Sequence, residues 1–239
     1  MKERKGSTPE MRADKLKELE RYDGRARAIS LSGGVDVPPF GALGASPVYR
    51  APYEHYEQCI RRDLSPDHTV LELGAGTGFH TPVLDSAAGC VVATDISKAS
   101  LCVLRQRVDV SCAAADMEAI PFRRGSFDAV VSAGSLSYGN PAMVDSEILR
   151  VLKPGGSFMC VDSLNHNPVY RLNRWIHYLR GRRTATTIRN MPTIGRIEAL
   201  CSSFERSSVQ YFGAITYLAP LLSKLIGPET AARVSDSVD

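Results

Sequence analysis

Between positions 69 and 161 the chain alternates short β-prone runs with stretches of helical period. Thr69–Leu73, Cys90–Thr94, Ser111–Ala115, Phe127–Ser132 and Ser157–Val161 are the runs. The first ends in glycines, the second at Asp95 and the third at Asp116. Lys153-Pro154-Gly155-Gly156, a strong turn signal, introduces the fifth. Helical patterns occupy Thr77–Ala87, Ser97–Arg107 and Pro141–Leu152 between them. Strands alternating with helices predict an α/β fold, a three-layer sandwich around a mostly parallel sheet with right-handed crossovers. In such sheets ligands bind outside the carboxyl ends of the strands.

The flanks read differently. Residues 1–28 carry fifteen charges and no apolar core, which predicts a loose arm in which Thr8-Pro9 starts a short helix through Leu19. Residues 30–48 are rich in Gly, Pro and Ser and read as a linker or lid. A short helix follows from Pro52 to Leu64. Beyond the fifth run, Ile194–Phe204 reads as a helix and Ser207–Phe212 as a sixth strand. Ile215, Leu218, Leu222, Leu225 and Ile226 recur at helical spacing, interrupted by Pro220 and stopped by Gly227-Pro228. The chain thus divides into an arm and lid (1–48), a main domain (49–213) and an apolar helix with a polar tail (214–239).

Composition narrows the class. The chain has 239 residues, 44% hydrophobic and 23% charged, which is ordinary for a globular protein with a sizeable core. A net charge of +3 gives no footprint for nucleic-acid binding. Six cysteines stand at least ten positions apart with no CxxC or Cys/His spacing, so no metal site is expected, and they read as small core residues of a reducing compartment. Neither a secretory h-region nor a run of about 18 apolar residues is present, so a cytoplasmic location is expected.

The sharpest chemical signal is Glu72-Leu73-Gly74-Ala75-Gly76-Thr77-Gly78, at a strand-to-helix junction. It is neither the dinucleotide fingerprint, since Phe79 stands where Gly is needed, nor a P-loop, since no GK[ST] follows. The glycines permit a sharp turn and bring a ligand close to bare backbone. Glu72 would repel a pyrophosphate and attract a positive amine. Asp95 is placed to accept ribose hydroxyls, and Asp116 to accept from an adenine amine. An adenosine with a cationic end and no phosphate describes S-adenosylmethionine.

Four blocks in order carry a resemblance: Val70–Gly78, Val92–Ile96, Ala115–Met117 with Ile120-Pro121-Phe122 and Ser126-Phe127-Asp128, and Leu149–Gly156. They resemble the class I S-adenosylmethionine-dependent methyltransferases, nearest to the ubiquinone/menaquinone-biosynthesis group. The resemblance implies that Glu72, Gly74, Gly76 and Gly78 line the methionine and ribose moieties. It further implies that Asp95 holds the ribose, Ile96 packs on adenine, Asp116 and Met117 read the adenine edge, and Ser132 and Ala133 flank the cofactor. It also implies a sheet of seven strands. No β-prone run follows Phe212, so the seventh strand is expected to be missing, leaving an open slot beside the fifth.

The acceptor side is less defined. Methyl transfer to a hydroxyl profits from a general base. His166, in the loop after the fifth run, and Tyr138, after the fourth, are the candidates, with His55 behind them and His80 read as structural. Residues 163–197 hold seven arginines and no acid: Arg171, Arg174, Arg180, Arg182, Arg183, Arg189 and Arg196. They alternate with an apolar stripe of Val169, Leu172, Ile176 and Leu179 near Trp175. That pattern fits a solvated basic helix, a pocket for an anionic acceptor, or contact with an anionic membrane surface. The wording of Asn165–Pro168 and Leu172–Gly181 also resembles methyltransferases of bacterial surface-polysaccharide biosynthesis. The function expected is therefore O-methylation of a small molecule or glycan-type acceptor. The alternatives are a related fold that uses the cofactor for other chemistry and a membrane-surface binding module. Nucleic acid is not an expected acceptor, because the fourth run is followed by Ser135-Leu136-Ser137-Tyr138 rather than Asn/Asp-Pro-Pro-aromatic.

Overall fold

The computed structural model describes residues 9–31, 47–165, 171, 175–176, 178–180 and 184–212. Five strands form one parallel sheet in the order β3-β2-β1-β4-β5: β1 Thr69–Leu73, β2 Cys90–Asp95, β3 Ser111–Ala114, β4 Phe127–Ala133 and β5 Leu152–Val161. All five runs expected from the sequence are strands, because each is a short apolar segment bounded by turn residues. The Lys153–Gly156 turn is absorbed into β5. Phe127 pairs with Leu152 and Ala129 with Ser157, so the extra residues bulge out opposite Asp128. Lys153 Nζ then donates to both Asp128 oxygens, and Thr69 N donates to Oδ2 of the same carboxylate.

The helices are α1 Pro9–Leu31, α2 Pro47–Asp63, α3 Thr81–Ala87, α4 Lys98–Arg105, α5 Pro141–Val151, α6 Ala185–Arg189 and α7 Ile194–Cys201, with a 3₁₀ turn at Leu136–Tyr138. Side chains alternate between the two sheet faces. Val70, Val91, Ala129 and Val131 pack with Tyr56, Ile60 and Leu64 of α2 and Leu84 of α3. Ala93 on the same face meets Leu101 and Leu104 of α4. Leu71, Leu73 and Val130 face the other way, onto Val144, Ile148 and Val151 of α5. Pro, Asn and Ser set the boundaries: Asn140 Oδ1 accepts from Ala142 N and Met143 N ahead of Pro141, and Ser97 Oγ accepts from Ser100 N.

Three expectations change. The charged arm is a 23-residue helix, α1, extending well past Leu19. Ala26 and Ile29 of its inner face are buried against Val103 of α4, which a count of charges does not reveal. Ser207–Phe212 has no strand structure and pairs with nothing in the sheet, so the sheet of the described residues ends at β5. Cys90, Cys102 and Cys160 are exposed rather than core residues, and all six cysteines are free. The expected apolar helix and missing seventh strand fall beyond residue 212, outside the described residues. Among those described, no helix is long and apolar enough to cross a membrane.

Candidate functional site

β1 runs straight into the glycine loop. Gly74, Gly76 and Gly78 have φ of +66°, +56° and +80°, a region that side-chain-bearing residues rarely occupy. Ala75 N donates to Thr94 O and Gly76 N to Asp95 Oδ2, which ties the loop to the end of β2. A Cβ on Gly74 would lie 2.4 Å from Ser135 Cβ, whereas one on Gly76 meets nothing within 4 Å. Gly78 has a different role. Its Cβ would lie 2.7 Å from Leu104 Cγ, so this glycine lets α4 approach and does not line the cleft.

The loop borders a cleft of about 470 Å³ at the carboxyl edge of the sheet, inside the roughly 300–1,000 Å³ usual for small-ligand sites. Glu72, Gly74, Gly76, Asp95, Ile96, Asp116, Met117 and Tyr138 of the expected site residues all line it. Glu72 is buried, and Thr81 Oγ1 donates to its Oε2 at 2.7 Å. Burial raises its pKa to about 7, against the opposing pull of the Thr81 bond, and the nearby Asp95 charge adds to the rise. Asp95 is also raised by burial, with backbone donors opposing. Its Oδ2 holds Gly76 N and its Oδ1 holds Ser97 N at 2.7 Å. A carboxylate has about four acceptor sites; the Ile96 N–H is a third backbone donor to Asp95, so about one site remains for a ligand. Ile96 is 39% exposed, an apolar side chain open to the cleft.

Other expected residues are elsewhere. Ser132 is fully buried and does not line the cleft; it bonds Ser135 Oγ at 2.6 Å, and Ser135 is the residue that borders the cleft, donating to Leu73 O. Ala133, the next residue along β4, does line the cleft. His166 lies outside the described residues, as do Arg174, Arg182 and Arg183. His55 points away from the cleft, its Nε2 3.5 Å from Cys59 Sγ and its ring against Phe212. Arg171, Arg180 and Arg189 are exposed, and Arg196 is engaged by both oxygens of Asp145 on α5. None of these four lines the cleft. The arginines that do are Arg21 and Arg25, from α1.

Sequence reasoning missed α1 as a wall of the site. Lys15 Nζ reaches Asp116 Oδ2 at 2.7 Å and Glu118 Oε2 at 2.8 Å. Tyr22 Oη donates to Tyr138 Oη at 2.6 Å, with the rings edge to face. Asp23 accepts from Ser97 Oγ. Asp14 accepts from Thr186 N, and Glu18 from the Thr184 and Thr187 hydroxyls, joining α1 to α6. The one available signal was the Ala26/Ile29 pair at helical spacing inside a charged run. His80, read as structural, also lines the cleft together with Tyr53 and Phe79.

The groups present suit a cationic adenosine ligand. A buried carboxyl, Glu72, sits behind bare glycine backbone; two further carboxylates, Asp95 and Asp116, end the next strands; apolar Ile96 and Met117 stand between them.

Comparisons with known proteins agree. A methyltransferase-domain family model matches residues 71–160. The chain is 34% identical over 179 residues to a demethylmenaquinone methyltransferase of Corynebacterium kroppenstedtii, covering 74% of this chain and 69% of that protein. A demethylmenaquinone methyltransferase of Renibacterium salmoninarum is 39% identical over 99 residues, 41% of this chain and 42% of the relative. Among solved structures, a geranyl diphosphate C-methyltransferase from Streptomyces coelicolor A3(2), with S-adenosyl-L-homocysteine bound, superposes with TM-score 0.52 at 18% identity, over 65% of this chain and 60% of that one. The DhpI complex with S-adenosylmethionine gives 0.52 at 22% identity, over 71% and 73%. With this sheet order, this glycine loop and these relatives, the chain belongs to the class I S-adenosylmethionine-dependent methyltransferases.

Proposed function

We propose that this enzyme methylates an aromatic, quinol-type small molecule. The observation that carries the reading is the aromatic lining on the acceptor side of the cleft: Tyr22, Tyr53, Phe79 and Tyr138 face the space that the glycine loop borders. Flat rings recognise flat rings by stacking and edge contacts. The 34% identity to a demethylmenaquinone methyltransferase supports the same class of acceptor.

In this reading Glu72, Gly74 and Gly76 take the methionine and ribose portion of S-adenosylmethionine. Asp95 takes a ribose hydroxyl with its remaining lone pair, and Ile96, Asp116 and Met117 take the adenine. The bound cofactor supplies a methyl group on a sulfonium centre. The protein's part is to hold the acceptor in line with that methyl and to exclude water. α1 covers the cleft and serves the second purpose.

O-methylation of a hydroxyl on a glycan-type acceptor is the second reading. It draws on the polar wall of α6, where the buried Thr186 hydroxyl has no hydrogen-bond partner among the described residues. One experiment separates the two. Purified protein is given methyl-labelled S-adenosylmethionine and either a reduced, ring-unsubstituted naphthoquinone or a set of sugar nucleotides. Label in a ring C–CH₃ group supports the quinol reading; label only in sugar O–CH₃ overturns it.

A further inference from the structure

His80 and Glu57 form an oriented pair that cofactor binding leaves unused. His80 Nδ1 lies 3.0 Å from Glu57 Oε1, and Glu57 Oε2 accepts from Arg61 Nη2 at 3.3 Å. Arg61 pairs with that carboxylate, and an ionised carboxylate only accepts. The ring proton therefore sits on Nδ1, which leaves Nε2 as a bare acceptor. Glu57 is the sole hydrogen-bond partner of the His80 ring among the described residues. The imidazole cannot swing. Tyr53 stacks on it at 5.4 Å and 3°, Tyr56 meets it edge-on at 5.4 Å, and Phe79 edge-on at 4.9 Å.

The residue is 5% exposed, and it lines the cleft between the aromatic side chains and Glu72. The titratable and charged groups around it are Glu57, Tyr53 and Tyr56 from α2 and, behind the adjacent Thr81, Glu72 from β1. Burial lowers the pKa of His80, although Glu57 pulls it upward, so the neutral form prevails near pH 7. A neutral imidazole, fixed by a carboxylate and lining a cleft, is the arrangement that general-base chemistry requires.

We propose that Nε2 of His80, oriented by Glu57, accepts the proton of a ring hydroxyl on the methyl acceptor. This rests on the aromatic-acceptor reading above. The O–H bond breaks, the proton moves to Nε2, and the electron pair stays on oxygen, where it is shared with the conjugated ring carbon. That carbon takes the methyl group as the sulfonium S–CH₃ bond breaks, its electron pair staying on sulfur, so that a neutral thioether leaves. The ring carbon then gives up its own hydrogen to water as a proton, while His80 returns its proton to the oxygen. One proton is released per methyl transferred, and Glu57 offsets the transient imidazolium charge.

The test uses the full chain with S-adenosylhomocysteine bound and 4-nitrophenol, whose absorbance reports its ionisation. The parent protein should lower the apparent pKa of the bound phenol, and His80→Gln should bind the phenol without lowering it. In turnover at saturating cofactor, His80→Gln should reduce kcat about 10²–10⁴-fold with little change in the acceptor's KM, and should abolish the acid limb of the kcat profile against pH. Glu57→Gln, which keeps the imidazole but removes the charge behind it, should move that limb to lower pH; it carries the test if His80→Gln does not fold. Phenol ionisation and a pH profile unchanged in either folded variant overturn the proposal. A parent chain that binds no phenol and methylates no reduced naphthoquinone defeats the aromatic reading and this proposal together. A parent that does both, matched by His80→Gln, defeats this proposal alone.

Discussion

The cofactor wall of the cleft is drawn from residues 72–117, the ends of β1, β2 and β3 in succession, and its key bonds run between neighbouring strands. The opposite wall is gathered from α1, α2, the 136–138 turn and α6, through bonds between residues as far apart as 101 positions (Lys15 to Asp116) and 172 (Asp14 to Thr186). One wall is preset by strand geometry, which the sheet holds rigidly. The other exists only once distant helices have docked. A methyltransferase needs the first to be constant and the second to be adaptable, since the cofactor is shared and the acceptor is not. Four substitutions or conditions probe that division.

The largest effect is expected at Gly74. Its φ of +66° already strains any other residue, and a Cβ there would strike Ser135, whose hydroxyl is bonded to Leu73 O and Ser132. Gly74→Val should cost several kcal/mol through left-handed strain plus overpacking. No S-adenosylmethionine binding should be measurable by titration calorimetry, and Tm should fall. A folded Gly74→Val that still binds cofactor would show that the wall is not preset.

Asp95 comes next. Asp95→Ala removes the acceptor for Gly76 N and Ser97 N and the lone pair left for a ribose. Hydrogen bonds to a charged group are worth roughly 1.5–3 kcal/mol, so cofactor affinity should drop about ten- to a hundredfold. Equal affinity in parent and variant would remove Asp95 from the site.

What the sequence disclosed follows the same division. All five strands were legible, because each is a short apolar run ending at Gly, Asp or a turn. Glu72, Asp95 and Asp116 were legible because strand ends in a parallel sheet converge on one edge. Of the two β4 residues expected beside the cofactor, Ala133 lines the cleft and Ser132 is buried against Ser135, since a strand's in-and-out phase is fixed by packing rather than composition. Lys15 and Tyr22 were invisible, because nothing local says that a charged helix will fold back over a cleft. His80 was read as structural from its place at the first turn of a helix; its contact with Glu57, 23 positions earlier on another helix, leaves no local signal.

A smaller effect tests Glu72 by pH. Its folded pKa of about 7 exceeds that of an unfolded glutamate, near 4.5, so the folded chain holds this proton more tightly. The Glu72 contribution to stability of the ligand-free protein is therefore greatest below about pH 4.5 and is lost as pH rises to about 7. Binding a cation has the opposite sign, because it favours the ionised carboxylate. If only that form binds, S-adenosylmethionine affinity should rise about tenfold between pH 6 and pH 8. Glu72→Gln should flatten that rise. A slope that persists in Glu72→Gln would assign the pH dependence to another group.

The smallest effect on the cofactor, and the most direct test of the division, comes from Lys15. Its ammonium bridges Asp116 and the buried Glu118, and with Tyr22 and Asp23 it pins α1 across the cleft. Lys15→Met keeps the apolar stem of the side chain but leaves two carboxylates facing each other. Asp116 is partly open to water, which softens the penalty, while Glu118 retains the Asn140 N–H as a donor. The loss should be about 1–2 kcal/mol, between the values for surface and buried pairs. It should fall on the docking of α1 rather than on the sheet. Hydrogen exchange should therefore speed up along Pro9–Leu31 and stay unchanged in β1 and β2. Cofactor affinity should move less than tenfold, because the thioether that replaces the ammonium no longer competes for Asp116 but also no longer holds the cover in place. Acceptor turnover should fall further than cofactor binding. If β1 and β2 exchange faster by the same factor as α1, the two walls form one cooperative unit, and the contrast between a preset wall and an assembled one does not hold.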